Sequence, residues 1–268
     1  MIKEISTHEM YGQLGLRRAP FVIDVRPMED FEREPRLIPG AVHLDPSDVL
    51  KWLHKIPSHQ GIALYSTTGR EAVSIVKALT QRGLRVAAIY GGIEQWLADE
   101  LPTIRARPEF GVPGGSRWVT RERPKIDRIA CPWLVRRFID PQATFFYVPA
   151  ARARAEAQAL DAQPYDIPEV TFSHRGTNCS FDAFLDEFDL RDPVLDTLAR
   201  IVRAADTATL ELSPEAPGLL AISLGLSAAI GDDQLLLEQA MTVYDALYTW
   251  CKSAQDESHS WPQKVVSS

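Results

Sequence analysis

The sequence predicts two unlike parts, an α/β first half built on an open parallel sheet with helices on both faces, and a mainly α-helical second half. In the first half, short apolar runs alternate with helix-like periodicity, which is typical of buried parallel strands joined by helices. In the second half, apolar residues recur at helical spacing instead. The length of 268 residues also favours two domains over one.

Three apolar segments in the first half predict strands, at 21–26, 62–65 and 86–90. Between the last two, the pattern that starts at Arg70 predicts an amphipathic helix, which Gly83 would terminate. The strand at 62–65, a turn of small residues and the N-terminus of this helix follow one another. Several backbone N–H groups therefore point into the loop between the strand and the helix. That arrangement is a generic site for an anion.

We expect the first domain to span 1–104, an exposed connection rich in Pro, Gly and Arg to span 105–116, and the second domain to span 117–252, before a flexible tail at 253–268. In the second domain, Asp192 and Pro193 predict a helix cap and a first helical residue. A further helix is expected from about Leu235 to Trp250.

Composition limits the function. The net charge of −7 and pI of about 5.4 argue against general binding to nucleic acid or acidic membranes. Three cysteines without a CxxC pair argue against a disulfide framework. The N-terminus lacks a signal-like apolar core, and the longest apolar run, 218–230, is too short to cross a bilayer. We therefore expect a soluble, cytoplasmic protein without a membrane partner.

Four motifs occur in order in the first half: Asp24-x-Arg26 at a strand end, the turn Ile38-Pro39-Gly40-Ala41, the loop after Tyr65, and Gly91-Gly92 leading to Trp96. Together they resemble the rhodanese family over residues 5–104. The resemblance implies five parallel strands. It also implies that Ser66 occupies the position at which active members carry sulfur as a cysteine persulfide.

Ser66 changes the expected chemistry. A serine hydroxyl ionises far less readily than a thiol and cannot carry a stable persulfide. Sulfur transfer at Ser66 is therefore not expected, but a cradle for sulfate, thiosulfate or chromate could remain, formed by Ser66, Thr67, Thr68, Gly69 and Arg70. Two alternatives stay open: the domain serves only as a scaffold or interaction module, or serine replaces cysteine in an otherwise active sulfurtransferase.

Several long stretches of the second half, among them "RPKIDRIACPWLVRRFIDP", "FSHRGTNCSFDAF" and "MTVYDALYTWC", resemble the C-terminal domain of ChrB-type chromate-resistance proteins. The resemblance runs from Arg117 to about Cys251. It implies a context, chromate resistance and its regulation, more firmly than it implies a reaction.

Cys131 precedes Pro132, and proline suits a first helical position, so Cys131 is expected to be the helix cap. The helix dipole and nearby arginines such as Arg128 would lower the pKa of that thiol and make it a reactive thiolate or metal ligand. The alternative is a small buried hydrophobic residue.

His174 and Cys179 lie five residues apart across a turn, a spacing that allows both to reach one transition metal, zinc or iron. Asp127, Cys131 and Asp206 are the candidate partners. The alternative is that His174 hydrogen-bonds in a turn, while the two aspartates cap helices or pair with arginines.

From Arg105 to Arg137, nine Arg or Lys residues face three acids. Arginine suits oxyanions, and Arg128 is a candidate contact, but pairing with the acidic remainder of the chain is the default expectation.

Three functions stay open for the whole protein: an oxyanion- or metal-responsive chromate-resistance protein, a sulfurtransferase using Cys131 or Cys179, and a chromate-responsive regulator. The last lacks a recognisable helix-turn-helix or zinc-finger spacing.

Overall fold

The computed structural model describes residues 3–52, 60–107, 110 and 115–257. The strands are β1 (Glu4–Ile5), β2 (Phe21–Asp24), β3 (Arg36–Leu37), β4 (Ala41–His43), β5 (Ile62–Tyr65), β6 (Val86–Ile89), β7 (Ile104–Arg105), β8 (Arg117–Arg121), β9 (Thr144–Val148) and β10 (Gln163–Pro164). The helices are α1 (Thr7–Gln13), α2 (Met28–Arg33), α3 (Val49–Trp52), α4 (Arg70–Thr80), α5 (Gly92–Ala98), α6 (Asp127–Leu134), α7 (Ala153–Ala159), α8 (Ser180–Glu187), α9 (Pro193–Asp206), α10 (Ala216–Ala229) and α11 (Asp233–Ser253). A π-helical turn, Val135–Ile139, continues α6, and 3₁₀ turns lie at Ala150–Arg152 and Leu210–Leu212.

The first half is built on a five-stranded sheet in the order β1-β6-β5-β2-β4, in which every pairing is parallel. Ile23 lies between Val42 and Leu64, which fixes the register of the three central strands. All residues of β2, β5 and β6 are buried, which explains why these strands read as continuous apolar runs. The predicted open parallel sheet is confirmed.

Successive side chains of the central strands point to opposite faces of the sheet, and each face is covered by helices. Phe21, Ile23 and Leu64 pack in one cluster with Ala72, Val76 and Leu79 of α4. Val22, Ala63 and Tyr65 belong to the other cluster, which includes Met10 and Leu14 near α1 and Ile93 and Trp96 of α5. Helix α4 starts at Arg70 as predicted, and Gly83 follows it with φ +78°.

The second half is largely helical, as predicted, but it also contains a small sheet that the prediction missed. Its order is β10-β8-β9, with both pairings parallel. The strands are short, and β9 is mostly half-buried, so their apolar pattern is weaker than that of the first sheet. The two long helices were anticipated: α9 has Asp192 as its cap and Pro193 at its first position, and α11 extends the predicted helix by a few residues at each end.

The two halves share one apolar core. The cluster that covers one face of the first sheet continues through Trp133, Phe138, Tyr244 and Tyr248 of the second half. Polar contacts add to it: Gly40 N–H donates to the Phe138 carbonyl at 2.6 Å, and Tyr11 Oη donates to Asp192 at 3.0 Å. The two halves are therefore joined by both apolar contacts and hydrogen bonds.

Part of the predicted exposed connection at 105–116 belongs to this packing. Arg105 lies in β7, which pairs antiparallel with β3, and its N–H donates to the Phe188 carbonyl at 2.7 Å. Phe110 stacks on Trp118, with ring centroids 4.9 Å apart. The sequence around Phe110 has no apolar periodicity, so it does not indicate that this ring packs against the second half. Of the predicted tail at 253–268, residues 258–268 lie outside the described residues.

Within the described residues, no helix combines the length and apolar character that crossing a membrane requires.

Candidate metal centre

Three predicted ligands, Asp127, His174 and Asp206, come together in the second half. Each offers one ligand atom, and these atoms all lie within 4.8 Å of one another. The Nε2 atom of His174 is 3.5 Å from Asp127 Oδ2 and 3.1 Å from Asp206 Oδ2. A fourth side chain, Asp166, approaches the same nitrogen with Oδ1 at 3.5 Å.

Separate segments of the chain supply these groups. Asp127 is the first residue of α6 and Asp206 is the last residue of α9, so two helix ends meet at the cluster. Asp166 and His174 lie in the connection between β10 and α8. The sequence analysis did not name Asp166. Its backbone is left-handed, with φ +49°, a conformation that aspartate tolerates better than most residues. A backbone angle cannot be read from the sequence, so no local pattern identified this residue.

Asp166 is held firmly. Its Oδ1 accepts from Ser180 Oγ at 2.8 Å, and its Oδ2 accepts from the Arg121 guanidinium at 2.9 Å. The Nε atom of Arg128 lies 3.3 Å from the same Oδ2. Asp166 Oδ1 approaches the same ring nitrogen as the other two carboxylates, so it can accept a hydrogen bond from His174 Nε2 only while no cation occupies that nitrogen.

The carboxylate of Asp127 has fewer hydrogen-bond partners than that of Asp166. The Asp127 side chain is 1% exposed; Oδ2 accepts the backbone N–H of Ser180, but Oδ1 is buried without a hydrogen-bond partner among the described residues. A buried carboxylate oxygen without a partner costs free energy. The other oxygen of this carboxylate, Oδ2, lies 3.5 Å from His174 Nε2, so a cation that both oxygens contacted would remove that cost.

The pKa shifts of the clustered groups also favour a positive charge at this site. Burial, followed by repulsion from Asp206 and Asp166, raises the pKa of Asp127 well above its ordinary value, and burial also raises the pKa of Asp206. A hydrogen bond to Asp166, together with the charges of the other carboxylates, raises the pKa of His174 to about 9. The cluster thus requires a compensating positive charge, which either a protonated imidazole or a divalent cation provides.

Neither cysteine near this cluster matches its predicted role. Cys179 is the cap of α8, but its sulfur is not among the clustered ligand atoms. Cys131 is fully buried inside α6, and burial, with repulsion from Asp127, raises the pKa of its thiol. Burial raises the pKa of Cys179 as well. Cys131 is therefore not the helix cap, the pKa of its thiol is not lowered as expected, and both cysteines fit the alternative of a small buried residue.

The reason is the start of α6. Asp127 begins the helix, so Pro132 lies inside it, where proline removes the hydrogen bond to the carbonyl of residue 128. Two tyrosine hydroxyls replace that bond: Tyr147 donates to the Arg128 carbonyl at 2.9 Å and Tyr165 at 3.3 Å. The partners are distant in sequence, so the local pattern misplaced both the helix start and Cys131.

The five residues of the predicted anion cradle differ in their exposure and in their hydrogen-bond partners. Ser66 is fully buried and its hydroxyl has no partner among the described residues, while Thr68 and Arg70 are exposed. Thr67 Oγ1 is engaged, because it donates to Asp30 at 2.8 Å. Arg128 is not part of this loop: its guanidinium donates to the Arg121 and Glu122 carbonyls and faces Asp166. Anion binding at Ser66 stays a prediction.

The basic segment is largely neutralised by the rest of the chain, which was the default expectation. Examples are Arg121 with Asp166, Arg136 with Glu238 and Arg137 with Asp245, where nitrogen and oxygen atoms are 2.5–2.9 Å apart.

The fold and the family comparisons agree. The family model described as a rhodanese-like domain matches residues 6–99, and the model described as the ChrB C-terminal domain matches residues 118–251, half of the chain. The chain therefore belongs to the ChrB C-terminal domain family and carries a rhodanese-like domain in front of that domain. Both resemblances expected from the sequence are confirmed.

Curated relatives fall into the same two groups. The chain is similar to Protein ChrB of Cupriavidus metallidurans, with 36% identity over 136 residues, which are 50% of this chain and 40% of that relative. It is also similar to the putative sulfurtransferase YtwF of Bacillus subtilis, with 27% identity over 101 residues, 38% of this chain and 96% of that protein. Among solved structures, a rhodanese-related protein from Thermoplasma volcanium matches with 21% identity and a TM-score of 0.34, covering 38% of this chain and 96% of that one.

Proposed function

We propose that the second half of this chain is a metal-binding domain that acts in chromate resistance by holding one divalent first-row transition metal. Asp127, His174 and Asp206 are its ligands, and Asp166 joins the coordination through Oδ1. The observation that carries the proposal is the meeting of three carboxylates at the His174 imidazole, one of which, Asp127, has its second oxygen buried without a hydrogen-bond partner among the described residues. Membership of the ChrB family supplies the context.

The donor set favours particular ions. Carboxylates suit harder cations such as manganese and iron(II), imidazole suits iron and zinc, and no thiolate is present to favour copper(I). Three protein ligands leave an open coordination position, as catalytic or responsive sites do. The His174 side chain is 41% exposed, so a ligand from solvent, for example an oxyanion, has a route to that position.

Metal content tests the proposal. We expect purified protein, incubated with iron(II), manganese(II) or zinc(II) and then desalted, to retain close to one equivalent of one ion by plasma mass spectrometry. His174→Ala and Asp127→Asn should retain less than a tenth of that amount, because the first removes a ligand and the second replaces a charged oxygen ligand by a neutral, weaker one. His8→Ala is the matched control: this histidine also faces a carboxylate, Asp99 at 3.6 Å, but stands alone with it on the surface.

Two results would contradict the proposal. One is wild-type protein that retains no ion under any of the three conditions. The other is retention by both ligand variants at the level of the His8→Ala control, with far-ultraviolet circular dichroism showing that all variants are folded.

A further inference from the structure

A cavity of about 1050 Å³ lies between the two halves, away from both sites described above. One wall consists of residues that come just before strands of the five-stranded sheet: Pro20 before β2, Gly40 before β4, Gly61 before β5 and Arg85 before β6. The cavity is therefore at the edge where the strands begin. The loop of Ser66 follows β5 and belongs to the opposite edge.

The second half supplies the other wall. The π-helical turn that follows α6 contributes Arg136 and Arg137, and Pro141 follows them. Gly40 joins the walls, because its N–H donates to the Phe138 carbonyl at 2.6 Å. This backbone contact ties the two walls together at one end of the cavity lining.

The cavity is strongly basic. Among its described lining residues there is no Asp or Glu, while five are arginines: Arg17, Arg18, Arg85, Arg136 and Arg137. Glu238 and Asp245 of α11 already pair with Arg136 and Arg137. Arg17 and Arg18 are exposed neighbours without an ion pair among the described residues. Both line the same cavity, so an anion bound there would be attracted by two charges that no carboxylate of the described residues neutralises.

The lining also has an apolar part, formed by Leu16, Ala19, Pro20, Pro39 and Pro141. A single tetrahedral dianion would fill only a small part of this volume, whereas drug-sized ligands occupy pockets of about 300–1,000 Å³. Arginine fits phosphate oxygens with paired hydrogen bonds. We infer that this cleft binds a nucleotide-like anion, in which two or more phosphate-type charges are joined to a flat apolar ring.

A small molecule fits better here than a nucleic acid strand. The basic residues line a concave space between two walls, and on the side of the second half the carboxylates of α11 border them. A long polyanion that extended past the cleft would meet those carboxylates and a chain of net charge −7. A ligand that ends inside the cleft avoids this repulsion.

The test uses ADP, inorganic pyrophosphate and a single-stranded DNA 20-mer as probes, with isothermal titration calorimetry of the full chain. We expect saturable binding of one equivalent of ADP, weaker binding of pyrophosphate, and at least a tenfold loss of ADP affinity in the Arg17→Ala/Arg18→Ala double variant. Both arginines are exposed, so the variant should fold. Arg70→Ala and Arg82→Ala are matched controls, because they remove exposed arginines outside the cleft and should leave ADP affinity unchanged.

Three outcomes would overturn the inference. The first is no saturable binding of ADP or pyrophosphate. The second is loss of binding in Arg70→Ala but not in the double variant, which would move the anion site to the Ser66 loop. The third is binding of the 20-mer alone, with a steep dependence on salt, which would make the cleft a nucleic-acid surface.

Discussion

At the scale of single residues, Gly92 shows how closely the rhodanese-like loop is packed. A Cβ atom at this position would lie 2.1 Å from the Ser66 carbonyl oxygen and 2.7 Å from Gly69 N, and the backbone has φ +62°. The Ser66 carbonyl in turn accepts the N–H of Ile93 at 3.0 Å. Backbone atoms of the loop and of α5 therefore fix each other without help from side chains.

Gly92→Ala should consequently lower the free energy of unfolding by about 3 kcal/mol or more, since a methyl group has to displace backbone atoms. Gly83→Ala is the matched control, because Gly83 has a similar φ, +78°, but open space around its Cβ position. It should cost about 1–2 kcal/mol, the strain of the left-handed backbone alone. Urea unfolding measures both changes, and equal losses would show that the close contact does not contribute.

At the scale of elements, α6 depends on partners supplied by the small sheet. Tyr147 of β9 donates to the Arg128 carbonyl, which Pro132 leaves without its helical donor. The hydroxyl of Tyr248, in contrast, is buried with no hydrogen-bond partner among the described residues. The half-buried Tyr147 and the buried Tyr248 thus differ in whether their hydroxyl groups have a hydrogen-bond acceptor.

Tyr147→Phe should therefore lower the free energy of unfolding by about 1 kcal/mol, whereas Tyr248→Phe should leave it unchanged or raise it. The loss should shrink when Pro132→Ala is added to Tyr147→Phe, because alanine restores an N–H four residues after Arg128. Chemical unfolding of the wild type, Tyr147→Phe, Pro132→Ala and the combined variant forms a double-mutant cycle, with Tyr248→Phe as the control. A loss in Tyr248→Phe as large as that in Tyr147→Phe would contradict this account of α6.

The same elements show how far the sequence could lead. The parallel sheet, the start of α4 and the cap of α9 were predictable because each rests on local signals: buried runs, a glycine turn and an Asp-Pro pair. Three of the clustered groups, Asp127, His174 and Asp206, were also named beforehand. Asp166, the interior position of Cys131 and the small sheet were not predictable, because each depends on contacts between residues far apart in the chain.

At the scale of the whole molecule, the shared core makes the two halves one cooperative unit. Calorimetric unfolding of the full chain should show a single transition with equal calorimetric and van't Hoff enthalpies. Gly15→Ala should lower the midpoint of the entire transition, since its Cβ would lie 2.5 Å from ring atoms of Phe138 and Tyr248 in the other half. Gly218→Ala, which meets nothing within 4 Å, is the control. Two separate transitions would show that the halves unfold independently.

The spacing of the clustered carboxylates has one more consequence. Asp127 and Asp206 are 79 residues apart in sequence, and all three cysteines of the chain are free. An ion bound by both aspartates and His174 would act as a cross-link that closes a long loop, and such a closure disfavours the unfolded chain as a disulfide does. Unlike a disulfide, this cross-link would come and go with the supply of an ion, so the persistence of the folded chain would follow the availability of that metal.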